Sequence, residues 1–194
     1  MLVHCDSQQA SCSFTCSKGW PAKSYTLSHR IQSCFLMSAV ASLRHCSRLE
    51  KLGCHERLRL SLAGSGLLEE LLYQKTNGKI KIHGVEVPSC RSVYLPEDRM
   101  LRVPSTTSLH PDAILADTLL FCYPRQSSLI REYVDQFGSG ALAQIVLVVN
   151  HNDWKDMAKI LHDSFSTIEI VESAGLPEYE VLVVASVPRG RHKS

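Results

Sequence analysis

The chain has no long hydrophobic run. Nothing in its 194 residues approaches the ~20 apolar residues that span a bilayer. His4, Cys5, Asp6, Gln8 and Gln9 interrupt the start, where a secretory signal would place its apolar core. A cytoplasmic protein without membrane contact is expected. The chain also lacks a charge excess. Its net charge is +2, and its one basic cluster is Arg189-Gly190-Arg191-His192-Lys193, which reads as a solvated tail and not a nucleic-acid surface. Hydrolase and P-loop signatures are missing too. There is no G-x-S-x-G elbow, no Ser-His-Asp order and no Walker A lysine after Gly66. Paired zinc spacing is absent: among His4, Cys5, Cys12 and Cys16 only the last two come close to a C-x₂₋₄-C unit, and Cys46, Cys54 and His55 suit a helix end better. No metal site is expected. The eight cysteines read as thiols of a reducing compartment, with Cys34, Cys90 and Cys122 as small core hydrophobes.

What is present is a globular composition, 44% hydrophobic and 21% charged, with a length that suits one domain and an extension. Residues 1–24 are rich in Ser, Cys and Gln without a period, which predicts a poorly ordered extension. The domain proper is expected over 25–194. Ile31, Phe35, Leu36, Val40, Leu43 and Leu49 recur at helical spacing, so 25–53 reads as a helical cover ending at Gly53. An α/β core follows over 58–187. Leu58 to Leu62 alternates as a strand, Ala63-Gly64-Ser65-Gly66 makes a turn, and Leu67 to Leu72 has helix-forming composition. Lys79 to Val87 alternates as a second strand. The proline-rich stretch from Pro88 to Pro111 is mostly loop around a short strand, Met100 to Val103. Ala116 to Tyr123 and Ala143 to Val149 are continuous apolar runs, as in strands buried on both faces. Helices are predicted over Ser127–Phe137 and from an Asp153 N-cap to Phe165. Thr167–Val171 and Tyr179–Val187 close the chain as an antiparallel hairpin.

The glycine turn and Glu86 lie ~20 residues apart in one βαβ unit, as a nucleotide-type ligand requires. Either feature alone has a plainer reading, a tight turn or a surface carboxylate. A dinucleotide fits less well, because G-x-G-x-x-G wants a small residue where Glu69 stands. A reductase using a dinucleotide is the weaker reading on that ground. Tyr123-Pro124-Arg125 follows a buried strand. Tyr123 is a candidate to orient a substrate, and Arg125 a candidate to bind an anionic group through its planar fork. His151, after the next strand, is a candidate base.

Alternating strands and helices that end in an antiparallel hairpin resemble the class I S-adenosylmethionine-dependent methyltransferases. The resemblance implies a Rossmann-like three-layer αβα sandwich, with a mostly parallel sheet and strand 7 inserted antiparallel beside strand 6. It also implies S-adenosylmethionine as cofactor. Ala63, Gly64, Ser65 and Gly66 would approach the cofactor's amino-acid moiety, and Glu86 would accept its ribose hydroxyls. Tyr123, Arg125 and His151 would face a methyl acceptor, whose nature as small molecule or protein stays open, as does the oligomeric state. Asp117 and Cys122 to Arg125 fall on the strand that usually carries the transfer site. The acidic residue and glycine usual ahead of the turn are replaced by Leu60, Ser61 and Leu62. The third-strand loop Pro104 to Thr107 lacks the familiar acidic residue, with Asp112 nearby. The alternative implied by these departures is a catalytically inactive methyltransferase-like domain, a pseudoenzyme that binds partners or serves as a scaffold.

Overall fold

The computed structural model describes Val3–Cys5, Cys12–Phe14 and residues 58–62, 66–90, 92–172 and 176–186. The predicted helical cover, the basic tail, Cys34, and Ala63, Gly64 and Ser65 lie outside the described residues. Within the extension, β1 (Val3–Cys5) and β2 (Cys12–Phe14) pair antiparallel.

The core runs β3 (Leu58–Leu62), α1 (Leu67–Lys75), β4 (Ile82–Glu86), β5 (Met100–Arg102), β6 (Ala116–Cys122), α2 (Ser127–Phe137), β7 (Gln144–Asn150), α3 (His151–Ser164), β8 (Thr167–Ile170) and β9 (Glu180–Ser186). Short 3₁₀ turns, Glu97–Arg99 and Pro111–Leu115, flank β5 and β6. Seven strands form one sheet in the order β5-β4-β3-β6-β7-β9-β8. The first five are parallel; β9 enters antiparallel between β7 and β8. This is a Rossmann-like α/β sheet with strand 7 beside strand 6. Strand order reverses between β3 and β6, and the crevice outside the carboxyl ends there is where such sheets hold ligands.

Residue alternation explains the continuous apolar runs. On β7, Ile145, Leu147 and Val149 point into one cluster, with Leu129, Ile130, Tyr133 and Phe137 of α2 and Met157, Ile160 and Leu161 of α3. Val146 and Val148 point into the other, with Leu68 and Leu72 of α1. A strand covered on both faces has no polar side to alternate with.

Several details differ from the sequence expectation. β4 begins at Ile82, not Lys79, because Asn77 and Gly78 both take positive φ. The turn they make consumes the Lys79 N–H on the Thr76 carbonyl and the Ile80 N–H on Thr76 Oγ1, so no ladder forms there. The N-cap of α3 is Asn150, not Asp153: its Oδ1 accepts the Asn152 N–H at 3.0 Å. Asp153 falls in the first turn, where a negative charge complements the helix dipole. Cys90 is not a core residue; it sits half-buried in the loop after β4, while Cys122 packs at the edge of the second cluster. Among the described residues no helix is long and apolar enough to cross a membrane.

Candidate cofactor and acceptor site

The carboxyl ends of β3, β4 and β6 converge on the reversal point. After β3 the chain turns into α1 at Gly66, which is left-handed with φ 78°. A Cβ at Gly66 would lie 2.5 Å from Leu95 Cβ and 2.6 Å from Ser92 Oγ. Glycine is required there twice over, by its φ and by the close approach of this loop. Ser92 itself is tied: its hydroxyl donates to the Leu95 carbonyl at 3.0 Å and accepts the Leu95 N–H at 2.9 Å.

Glu86 is the last residue of β4 and is half-buried. Its Oε2 accepts the Val87 N–H at 3.0 Å. Burial, then the Glu86 charge, pushes the Cys90 thiol up. Arg102, ending β5, holds the loop: Nη1 donates to the carbonyls of Val87 at 3.2 Å and Cys90 at 2.9 Å, and Nη2 grips Glu97. Arg102 was not foreseen as a site residue. The visible signal was a charge within an otherwise apolar short strand.

Tyr123 directly follows β6. It is left-handed, φ 51°, a costly conformation for a bulky residue. Its N–H reaches the Val148 carbonyl at 2.8 Å, which anchors the bend. Tyr123 is 45% exposed, and burial, then the Glu180 carboxylate, pushes its phenol up. His151 opens α3, exposed, its N–H bonded to the Tyr179 carbonyl at 2.9 Å. Arg125 is exposed beyond Pro124. Gly66, Glu86, Tyr123 and His151 therefore all lie at one end of the sheet. Asp117 does not. It sits at the opposite end of β6, buried, with Thr118 Oγ1 donating to it at 2.9 Å and Arg59 Nε 4.0 Å away. Opening a parallel strand places a residue at the amino end, away from the crevice.

No family model and no curated protein matches the sequence. The backbone does match solved structures. Human N-acetylserotonin methyltransferase in complex with SAM aligns with a TM-score of 0.52 at 8% identity, over 83% of this chain and 54% of that one. Magnesium protoporphyrin IX methyltransferase from Synechocystis, with bound SAM, aligns at 0.51 and 14% identity, over 87% and 86%. Geranyl diphosphate methyltransferase in complex with SAM aligns at 0.54 and 12% identity, over 81% and 86%. The chain has the class I methyltransferase-like fold. It spans about half the length of the human enzyme.

Within this methyltransferase-like fold, the replaced first motif has a definite structure. Leu60 is fully buried and Leu62 packs against the same cluster. Ser61 faces the other way and donates from Oγ to Glu69 Oε1 at 2.5 Å. Glu69 is 2% exposed, wedged between α1 and β3. The helix and strand thus pack around a paired carboxyl where a small residue would otherwise bring them together. Burial raises the Glu69 carboxyl above its ordinary value, against the opposing pull of the Ser61 hydroxyl. A raised carboxyl favours folding fully below the unfolded value of 4.5, and that contribution is lost as pH climbs toward the folded value. Glu69→Gln keeps the shape and removes the titration. We expect this variant to match wild type in melting temperature near pH 4 and to exceed it at neutral pH and above. A wild-type-minus-variant difference that stays constant across pH would refute this account.

Proposed function

We propose that the domain binds S-adenosylmethionine and transfers its methyl group to an acceptor held beside Tyr123. The observation that carries this is Glu86: a half-buried carboxylate ending the second parallel strand, across the strand-order reversal from the left-handed Gly66. Glu86 spends one interaction on the Val87 N–H. A carboxylate has about four lone-pair sites, which leaves acceptor capacity for a vicinal diol. The adenosine half of the cofactor therefore suits the residues present. The amino-acid half would lie along 63–66, with backbone N–H groups as donors. When bound, the cofactor supplies an electrophilic methyl carbon. The protein then contributes mainly alignment and exclusion of water, which is why no acid–base signature is needed. Tyr123 and Arg125 would orient the acceptor. His151 would take a proton only if the acceptor must lose one.

A second reading has its own observation. Among the described residues no exposed carboxylate stands beside Gly66: Leu60 and Leu62 face the core and Glu69 is committed to Ser61. That favours a silent binding or scaffold domain, since a fold does not establish an activity. Titration of the pure protein with S-adenosylmethionine, followed by calorimetry, separates the two. Saturable binding is the expected result. No heat and no melting shift at millimolar cofactor would establish the silent reading, and NADPH in a parallel titration tests the dinucleotide one.

A further inference from the structure

Glu86 is aimed by its neighbours as well as by its strand. Its carboxylate accepts the Val87 N–H at 3.0 Å. Val87 opens a tight turn, 87–90, closed by the Cys90 N–H on the Val87 carbonyl at 3.0 Å. Arg102 stands beside Glu86 in the register of β4 and β5. One guanidinium nitrogen, Nη1, donates to both ends of that turn, to the Val87 carbonyl at 3.2 Å and the Cys90 carbonyl at 2.9 Å. The opposite edge of the guanidinium lies on Glu97: Nε donates at 3.1 Å, and Nη2 donates at 2.8 and 2.9 Å. The fork is planar, so Glu97 fixes the plane and the plane fixes where Nη1 points.

The rest of the connection is held without Arg102. The Val103 N–H reaches the Glu86 carbonyl at 3.1 Å and keeps the two strands together. Leu95 closely approaches Gly66, and Arg99 pairs with Glu70 and lies 4.4 Å over the Tyr73 ring. Removing Arg102 therefore frees the turn beside Glu86, and not the strands or the far end of the loop.

We propose that Arg102 is a positioning residue of the cofactor site. By holding the turn 87–90 it keeps the Val87 N–H, and with it the Glu86 carboxylate, where a ribose diol can meet it. This holds on the reading of Glu86 as the ribose acceptor and deepens it. A carboxylate free to rotate must be ordered when the ligand arrives; one already held avoids that cost. Arg102 acts only through the turn. Lysine cannot replace it, because a single ammonium cannot match the carboxylate fork and reach both carbonyls at once.

The full-length wild type, Arg102→Ala, Arg102→Lys and Glu97→Ala are titrated with S-adenosylmethionine, adenosine and 2′-deoxyadenosine by NMR, after a melting curve of each. Wild type should prefer adenosine over the deoxy compound by about tenfold or more, as expected for one hydrogen bond to a charged group. Arg102→Ala should bind S-adenosylmethionine about fivefold to tenfold more weakly, the cost of ordering one side chain on binding. Its preference for the ribose should shrink to about threefold or less, and Arg102→Lys should behave alike. Glu97→Ala, at an exposed position, should fold and lose part of the preference. An arginine that only stabilised the fold would lower the melting temperature and leave the ratio untouched. A wild type without ribose preference, a preference preserved in Arg102→Ala, or one restored in full by Arg102→Lys would each overturn the proposal. Should Arg102→Ala fail to fold, unchanged ratios in the other two variants overturn it. Absence of S-adenosylmethionine binding by wild type sinks the proposed function and this role together; wild-type binding with unchanged variants sinks the role of Arg102 alone.

Discussion

Replacing Glu86 by alanine should abolish the melting-temperature rise that S-adenosylmethionine gives the wild-type protein. At a hundredfold excess of ligand over its dissociation constant, binding stabilises a fold by ~2.7 kcal/mol, a shift of several degrees for a domain of this size. Glu86 offers charged acceptor sites at the end of β4. Hydrogen bonds to charged groups contribute ~1.5–3 kcal/mol each. Losing two of them weakens binding by about a hundredfold or more. At the same cofactor concentration the stabilisation then falls to ~0.4 kcal/mol or less, which is within the noise of a melt. The unliganded variant should lose a little stability, because the Val87 N–H loses its acceptor. Glu86→Gln, which keeps one acceptor oxygen, should fall between the two. A full cofactor-dependent shift in Glu86→Ala would remove Glu86 from the site and, with it, the main support for the proposed function.

Tyr133→Ala should be the most destabilising single change among the residues described above. Tyr133 is fully buried at the centre of the larger cluster. Its ring meets Phe121 edge-on at 5.8 Å and Phe137 at 5.8 Å. Truncating a buried aromatic to alanine costs ~3–5 kcal/mol through lost transfer energy and the cavity left behind. Total stabilities of ~5–15 kcal/mol make that a large share. The hydroxyl matters less: it accepts the His110 N–H at 3.3 Å, a long bond, so Tyr133→Phe should cost ~1 kcal/mol. Urea titration measures both, with an unchanged slope required for the comparison. An alanine variant within ~1 kcal/mol of wild type would mean that α2 does not anchor the sheet as described.

The strands were readable where one side chain's environment repeats along the chain. Ile145 to Val149 announces a strand covered on both faces because every position is apolar. Leu129, Ile130, Tyr133 and Phe137 announce α2 because their spacing makes one stripe. Where the signal is a single hydrogen bond it was missed. Nothing in the letters ranks Asn150 above Asp153 as a cap, since both are good caps and only the backbone path decides which meets a free N–H. Lys79 to Lys81 alternates like a strand, yet the turn before it had already used the backbone donors.

The candidate site divides along the same line. Sequence alone determined the order of strands and helices from β3 to β9, a glycine, Gly66, at the entry to α1, and an acidic residue at the end of the second strand. Those are local properties: period, φ preference and spacing. The tertiary structure alone decided which groups face one another. It sent Asp117 to the far end of the sheet beside Arg59, paired Glu69 with Ser61 beneath α1, pinned the β4 loop with Arg102, and set the Tyr123 N–H on the Val148 carbonyl. Each of those contacts joins residues from different elements, and Tyr123 meets Val148 because β7 lies beside β6. No local pattern encodes such contacts, because they arise from the order of strands in the sheet.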